Sequence, residues 1–367
     1  MSKVVENFME MVKIDSESDN VKKFTDYIAQ KFADLGGKIY KDEKSLKYTK
    51  TNAPNIIVHF EGNTKSSVIG LSAHVDTVVP GKGIKPVLKD GVITSSGDTI
   101  LGSDDKSGIV AIYTAIKNIV DNNQKMRECY VILTVSEEIG LLGAKYLDKE
   151  LIKNVENIIV FDSGGAFGEV IVSAPSQNSI YAIVKGKAAH AGVEPEKGVN
   201  AIFAAACGIS KLKLGRIDNE TTCNIGIING GKATNIVPDR VIIEGEVRSR
   251  DDKKLKEVTE NIVSILKLEV EKANASIKID VVNEYKSYNI DENDSLIKEI
   301  KKAVEKIGVK FRTGSTGGGS DTNIHNAKGL KAVNMSTGMD KVHTVDENIR
   351  VEDLEKLTDF IEEFLKG

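Results

Sequence analysis

Apolar residues recur at spacings of three and four near the start of the chain. Val21, Phe24, Ile28, Phe32 and Leu35 share one helical face, and Gly36-Gly37 ends the run, so the first 36 residues read as helical. Short β-rich runs follow at 55–60, 67–76, 130–135 and 157–162. Several are apolar almost throughout, as strands covered on both faces are. Residues 107–120 and 139–147 read as helices between them. Strands alternating with helices predict an α/β layer with a mixed, largely parallel sheet.

The pattern then changes. A strand at 180–186, a helix at 199–212, strands at 221–228 and 240–248, a long helix at 252–273 and a strand at 276–282 spell β-α-β-β-α-β. That order is the ferredoxin-like α+β unit, complete by itself. After it, a helix at 295–307, a strand at 309–313, a Gly-rich loop, a strand at 331–337 and a helix at 351–365 resume the first style. The expected organisation is a discontinuous α/β domain of residues 1–175 plus 286–367, interrupted by an inserted domain at 176–285. Insertion at a loop costs little, because the chain ends of a compact domain tend to lie close together.

Composition narrows the function classes. Fifty Lys and Arg against 54 Asp and Glu leave a net charge of −4, with no basic excess for nucleic acid or a membrane surface. Cys129, Cys207 and Cys223 are odd in number and lack CxxC spacing, which excludes a disulfide scaffold and a thiolate zinc site. No apolar run approaches 18 residues and no signal-peptide pattern opens the chain, so a reducing cytoplasm is expected.

The chain has only five His, at 59, 74, 190, 325 and 343. His74 and Asp76 alternate onto the same side at the end of their run, where a carboxylate can fix an imidazole tautomer. Asp104-Asp105 precede a helix, Glu137-Glu138 follow an apolar strand, Asp162 ends another, and His343 sits in a polar loop before the last helix. Singly, each is ordinary: acids cap helices and polar residues populate loops. Together, His74, Asp104, Glu138, Asp162 and His343 lie at successive strand ends of one α/β domain, where sites assemble. Two imidazoles and three carboxylates suit a pair of Zn²⁺-like ions that share a carboxylate and a water, and the spare Glu137 suits a general base beside that water.

The runs HVDTV, GSDDKSG, SEEIG, FDSGG, KGKAAHAG and HTVDE, in this order, resemble the dinuclear zinc peptidases of the M20 family. Within it, the chain is most similar to the peptidase T (tripeptide aminopeptidase) branch. The resemblance implies that Asp104 bridges two metals, with His74 and Asp162 completing one site and Glu138 and His343 the other. It implies that Asp76 orients His74, and that Glu137 takes a proton from the bridging water and delivers it to the leaving amine. It further implies a cis peptide after Asp104, a homodimer through a dimerisation or lid domain, and His190 reaching the partner's site to stabilise the oxyanion. Asn235 and Arg248 match substrate-contact positions, and a guanidinium fork suits a carboxylate.

Two Gly-rich stretches are distractors. The run 226–233 nearly spells a P-loop but ends in Ala233 and leads to a strand, without the helix N-terminus a phosphate needs. The run 314–319 is not GxGxxG, and is either a turn or a place where backbone approaches a ligand. His59 and His325 are assigned to structure. The expected activity is that of a metal-dependent aminopeptidase hydrolysing short peptides, tripeptides first. The alternatives are a dipeptidase, a carboxypeptidase, an N-acyl amino acid amidohydrolase, or a non-catalytic metal-binding protein. Zn²⁺ is the expected ion, though His and carboxylate ligands accept Co²⁺ and Mn²⁺ as well.

Overall fold

In the computed structural model, which describes residues 1–367, the helical start is two helices, α1 (Lys3–Met11) and α2 (Lys22–Asp34). Between them the stretch from Asp15 to Asn20 is rich in Ser, Asp and Asn, whose side chains compete with helical hydrogen bonds. Next come β1 (Lys38–Asp42), β2 (Asn55–Phe60), β3 (Ile69–His74) and a small hairpin of β4 (Pro86–Lys89) and β5 (Val92–Ser95). They are followed by α3 (Ser103–Asp121), interrupted in its first turn at Asp104 and Asp105, then β6 (Cys129–Thr134), α4 (Leu142–Tyr146), β7 (Asn157–Ser163) and β8 (Glu169–Ala174). The expected helix at 139–147 starts only at Leu142, because Gly140 and Leu141 hold left-handed φ of 121° and 59°.

The chain then builds β9 (Ser176–Lys185), α5 (Ala201–Ile209), β10 (Gly215–Arg216), β11 (Thr221–Gly230), β12 (Arg240–Ser249), α6 (Asp252–Lys272), β13 (Ser276–Tyr285) and β14 (Tyr288–Asn289). Five of these strands form an antiparallel sheet in the order β10-β11-β12-β9-β13. Ala204, Ala205 and Leu266 of the two helices bury against Ala182, Val241 and Val247 of the sheet.

The last stretch holds α7 (Ser295–Lys306), β15 (Arg312–Ser315), α8 (Asp321–Ala327), β16 (Lys331–Ser336), β17 (Met339–Asp340), β18 (Asn348–Arg350) and α9 (Val351–Lys366). Two compact units result. One comprises Met1–Val172, Ile290–Ser315 and Ser320–Gly367, and the other Ser173–Asn289 with Thr316–Gly319.

The main sheet of the first unit is mixed. Its order runs β1-β2-β6-β3-β7-β16-β8; the central β6, β3, β7 and β16 are mutually parallel, and the flanking strands antiparallel. β3 and β6 are buried at every residue. One face packs under α1, α2, α3, α7 and α9 through residues such as Phe8, Phe24, Ile112, Ile300 and Phe360; the other covers Ile57, Ile132, Ile158 and Leu330. Parallel central strands buried on both faces send all their carboxyl ends to one edge of the sheet. No helix is long and apolar enough to cross a membrane.

Candidate metal centre

Those carboxyl ends carry the predicted acids and imidazoles. His74 is the last residue of β3, in register with Thr134 of β6. β6 runs on to Ser136, whose left-handed φ of 57° turns the chain out of the sheet. Buried Ser136 donates its hydroxyl to the Thr49 carbonyl, and Leu142 N–H and Gly143 N–H return to the carbonyls of Ser136 and Val135. Glu137 and Glu138 therefore sit at the start of a tight loop. Asp162 lies near the end of β7, and His343 in the loop between β17 and β18.

Asp76 is fully buried and ties this loop to β3. Its carboxylate accepts from the Glu137 amide at 3.0 Å, the Glu138 amide at 3.3 Å and the Ser18 hydroxyl at 2.6 Å. The His74 Nδ1 meets the backbone carbonyl of Asp76 at 2.8 Å, while the nearest Asp76 carboxylate oxygen is 3.7 Å away. In this geometry the carbonyl holds the tautomer and the carboxylate holds the Glu137-Glu138 backbone.

His74 Nε2 is 2.9 Å from Asp104 Oδ1 and 3.7 Å from Asp162 Oδ1. His343 Nε2 is 3.2 Å from the other Asp104 oxygen and 3.1 Å from Glu138 Oε2. Asp104 thus faces two triads, one with His74 and Asp162 and one with Glu138 and His343. The peptide between Asp104 and Asp105 is cis. His74, Asp104 and Glu138 bring ligand atoms within 4.8 Å of one another, as do His74, Asp105 and Asp162.

Burial dominates the electrostatics of the site. Burial, then the charge of Asp162, hold the Glu137 carboxyl well above the usual range. Burial and Asp104 push Asp162 up to about 7. Glu138 is raised, chiefly by burial. Burial opposes charge on His74, but hydrogen bonds to Asp104, Asp162 and Asp76 outweigh it and raise the imidazole well above its ordinary range. Hydrogen bonds to Asp104 and Glu138 lift His343 to about 10. Crowded acids hold their protons when too little positive charge surrounds them. The buried Glu138 Oε1 has no hydrogen-bond partner. A set of imidazole nitrogens and carboxylate oxygens, over-acidic and with an orphaned buried oxygen, fits divalent cations.

The remaining predicted residues lie in the second unit. His190 is exposed, and its Nδ1 accepts from the Gly192 amide at 3.2 Å, which leaves the proton on Nε2. The Ala191 amide donates to the carbonyl of exposed Asn235, so the His190 and Asn235 segments run together. Arg248 is engaged within its own strand. Its Nε and Nη2 donate to the two carboxylate oxygens of Glu246, each at 2.9 Å, and Nη1 reaches the Gly317 carbonyl at 3.4 Å.

Both distractor runs have structural reasons. Residues 226–230 finish β11, and no helix follows them. Gly319 is required by packing, since a Cβ there would lie 2.2 Å from the Tyr285 ring. His59 bonds Glu128 at 2.9 Å and stacks on Tyr130. His325 is fully buried in α8.

Four polar residues of the site escaped the sequence reading. Asp105 accepts from the His74 amide at 3.2 Å, Ser18 donates its hydroxyl to the Asp76 carboxylate, and Glu347 accepts from the residues leading into Asp104. Buried Asp321 accepts from the Thr134 hydroxyl at 2.5 Å. Asp105 and Glu347 stood in the GSDDKSG and HTVDE runs; Ser18 and Asp321 had no spacing signal.

Comparison with known proteins places this geometry. The sequence profile described as Peptidase family M20/M25/M40 matches residues 70–367. The solved structure of aminopeptidase PepT from Bacillus cereus ATCC 10987 is 39% identical, with a TM-score of 0.90 over 99% of this chain and 97% of that one. A tripeptidase from Staphylococcus aureus is 35% identical, with a TM-score of 0.94 over 99% and 97% of the two chains. The uncharacterized protein YqjE of Bacillus subtilis is 38% identical over 98% of this chain and 96% of its own.

Proposed function

The chain belongs to peptidase family M20/M25/M40, and from that membership we propose that it is a metal-dependent aminopeptidase that releases the N-terminal residue of short peptides, tripeptides above all. The observation that carries this reading is the double triad around Asp104, with Glu137 on the adjoining backbone. The similarity to an aminopeptidase PepT and a tripeptidase supports the substrate class.

Two divalent cations, Zn²⁺ in our reading, would be held by His74, Asp162 and Asp104 on one side and by Glu138, His343 and Asp104 on the other. When bound, such ions supply Lewis-acid polarisation of a carbonyl and neutralise the acids that hold them. The chain's own part is proton handling and placement. Glu137, with its carboxyl raised by burial, takes the proton of the attacking water and returns it to the leaving amine. Asp76 fixes the Glu137 backbone through its amide. His190, with its proton on Nε2, is the donor we assign to the developing oxyanion in a partner subunit. We assign Asn235 and Arg248 to substrate contacts; a substrate carboxylate at Arg248 would exchange with Glu246.

The order β9-α5-β11-β12-α6-β13 supports reading the second unit as a ferredoxin-like lid that also dimerises. β11 is paired by β10 only at Thr222 and Cys223, so its later residues are an open strand edge with Ile227 and Ile228 exposed. Exposed Ile202 of α5 lies beside it, within 3.4 Å of where a Cβ on Gly231 would stand. An open apolar edge of this kind is a template for a second copy. Three free thiols suit a cytoplasmic setting.

The decisive assay offers free and terminally blocked di-, tri- and tetrapeptides, with and without chelator. Chelator-reversible release of the first residue from free tripeptides supports the proposal. Cleavage confined to acylated amino acids, or release from the carboxyl end, refutes it.

A further inference from the structure

Glu347 is 1% exposed, yet the chemistry above does not use it. Both of its carboxylate oxygens are committed to one short segment. Oε2 accepts from the amides of Leu101 at 2.7 Å and Gly102 at 2.8 Å. Oε1 accepts from the Ser103 hydroxyl at 2.6 Å and the Asp104 amide at 3.0 Å. Gly102 is left-handed at φ 71°, which lets successive amides converge on one anion. The four donors come from four consecutive residues, the last of which is the carboxylate shared by both triads.

At its other end Glu347 belongs to the loop of His343. Its amide donates to the Thr344 carbonyl at 3.1 Å, and Thr344 is bonded in turn to Lys341 and Asp346. His343 has a strained left-handed φ of 63°, and its side chain is 52% exposed, so its own packing holds it weakly. His74 and Asp162, by contrast, are carried by neighbouring buried strands. The two triads are therefore supported unequally: His74 and Asp162 by the sheet, His343 by a loop between the short paired strands β17 and β18 whose one buried carboxylate, Glu347, fastens it to the backbone of the Asp104 segment.

We propose that Glu347 is a positioning residue that sets His343 against Asp104, and so governs divalent-cation affinity at the Asp104–Glu138–His343 position more than at the Asp104–His74–Asp162 position. The cation half of this inference rests on the proposed function; the clamp itself does not.

Glu347→Gln tests it, because the amide nitrogen must then face the Leu101 and Gly102 amides or, turned over, the Asp104 amide, none of which can accept. Ser103→Ala removes one donor and leaves the carboxylate in place. Metal-free protein is titrated with Co²⁺ and followed by visible absorbance, and hydrogen exchange at the Leu101, Gly102 and Asp104 amides is read without metal. Wild type should take two equivalents. Glu347→Gln should keep one and lose about 10- to 100-fold in affinity for the other, the range for lost outer-sphere partners; Ser103→Ala should shift the same equivalent in the same direction by less. The three amides should be protected in wild type and exchange faster in both variants. Two unchanged affinities in either folded variant, or equal weakening of both equivalents with a lower melting temperature, overturns the inference. So does unchanged amide protection in Ser103→Ala, even if Glu347→Gln fails to fold. Fewer than two equivalents in wild type refutes the dinuclear reading and leaves the exchange measurement to judge the clamp.

Discussion

His325 gives the protein an acid sensitivity whose size can be worked out. The ring is fully buried in α8, and neither nitrogen has a hydrogen-bond partner. Burial, aided by the charge of Lys328, drops it to about 3 from an ordinary value of 6.5. Folded protein therefore keeps the ring neutral where the unfolded chain protonates it. The stabilising contribution is complete above pH 6.5, is lost as pH falls through the window from 6.5 to 3, and changes no further below it. At pH 5 the unfolded state gains about 1.5 × 1.36, or roughly 2 kcal/mol, from protonating this one group. His325→Met removes the titration and both unpartnered nitrogens at similar volume, so at pH 7 it should cost no more than about 1 kcal/mol. Urea unfolding of metal-free wild type and variant at pH 7, 6 and 5 reads the effect as a difference. The site carboxylates titrate in both proteins and cancel. Wild type should lose roughly 2 kcal/mol more than His325→Met between pH 7 and 5. Curves that stay parallel to within about 0.5 kcal/mol, a fraction of that expected loss, would refute the reasoning.

Other perturbations reach the site directly. Glu137→Gln should retain two equivalents of metal by elemental analysis while kcat falls about 10²- to 10⁴-fold, as for a lost general base; loss of metal would instead make Glu137 a ligand. Ser18→Ala removes the 2.6 Å bond to Asp76 and should cost about 1 kcal/mol of stability and lower kcat more than it raises KM, since Asp76 holds the Glu137 backbone. Gly143→Ala would put a Cβ 2.3 Å from the Val135 carbonyl oxygen, a backbone contact that cannot yield. It should destabilise by about 1–3 kcal/mol and misplace the Glu137 loop, seen as a lower melting temperature with reduced activity.

The strands that carry the proposed ligands were legible because their burial on both faces leaves a continuous apolar run, as in β3, β6 and β7. Elements set by backbone conformation were less so. The helix after Glu138 begins three residues late because Gly140 and Leu141 turn left-handed, and Leu141 is not a residue whose chemistry announces that turn. The β4–β5 hairpin, by contrast, had a usable signal in Asp90-Gly91, both at positive φ, the pairing that tight hairpins favour. β15 forms at Arg312–Ser315, shifted from the expected 309–313, because Val309 is still bonded back to Val304 at the end of α7.

The proposed ligands and their supports differ in how they could be read at all. His74, Asp104, Glu138, Asp162 and His343 act through their side-chain identity, so their types and positions at strand ends carry the information. Asp76, Asp105 and Glu347 act largely on backbone amides: those of Glu137 and Glu138, of His74 and Gly108, and of Leu101, Gly102 and Asp104. Every residue but proline offers an amide, so the partner leaves no trace in the sequence. Each of these three carboxylates fastens one ligand-bearing segment to another. Their acids resemble helix caps or solvated charges until the fold buries them, and only burial makes the demand for hydrogen bonds that gives them a role. A buried carboxylate whose oxygens are all spent on backbone amides and buried hydroxyls is therefore expected to tolerate substitution poorly even though it touches no substrate.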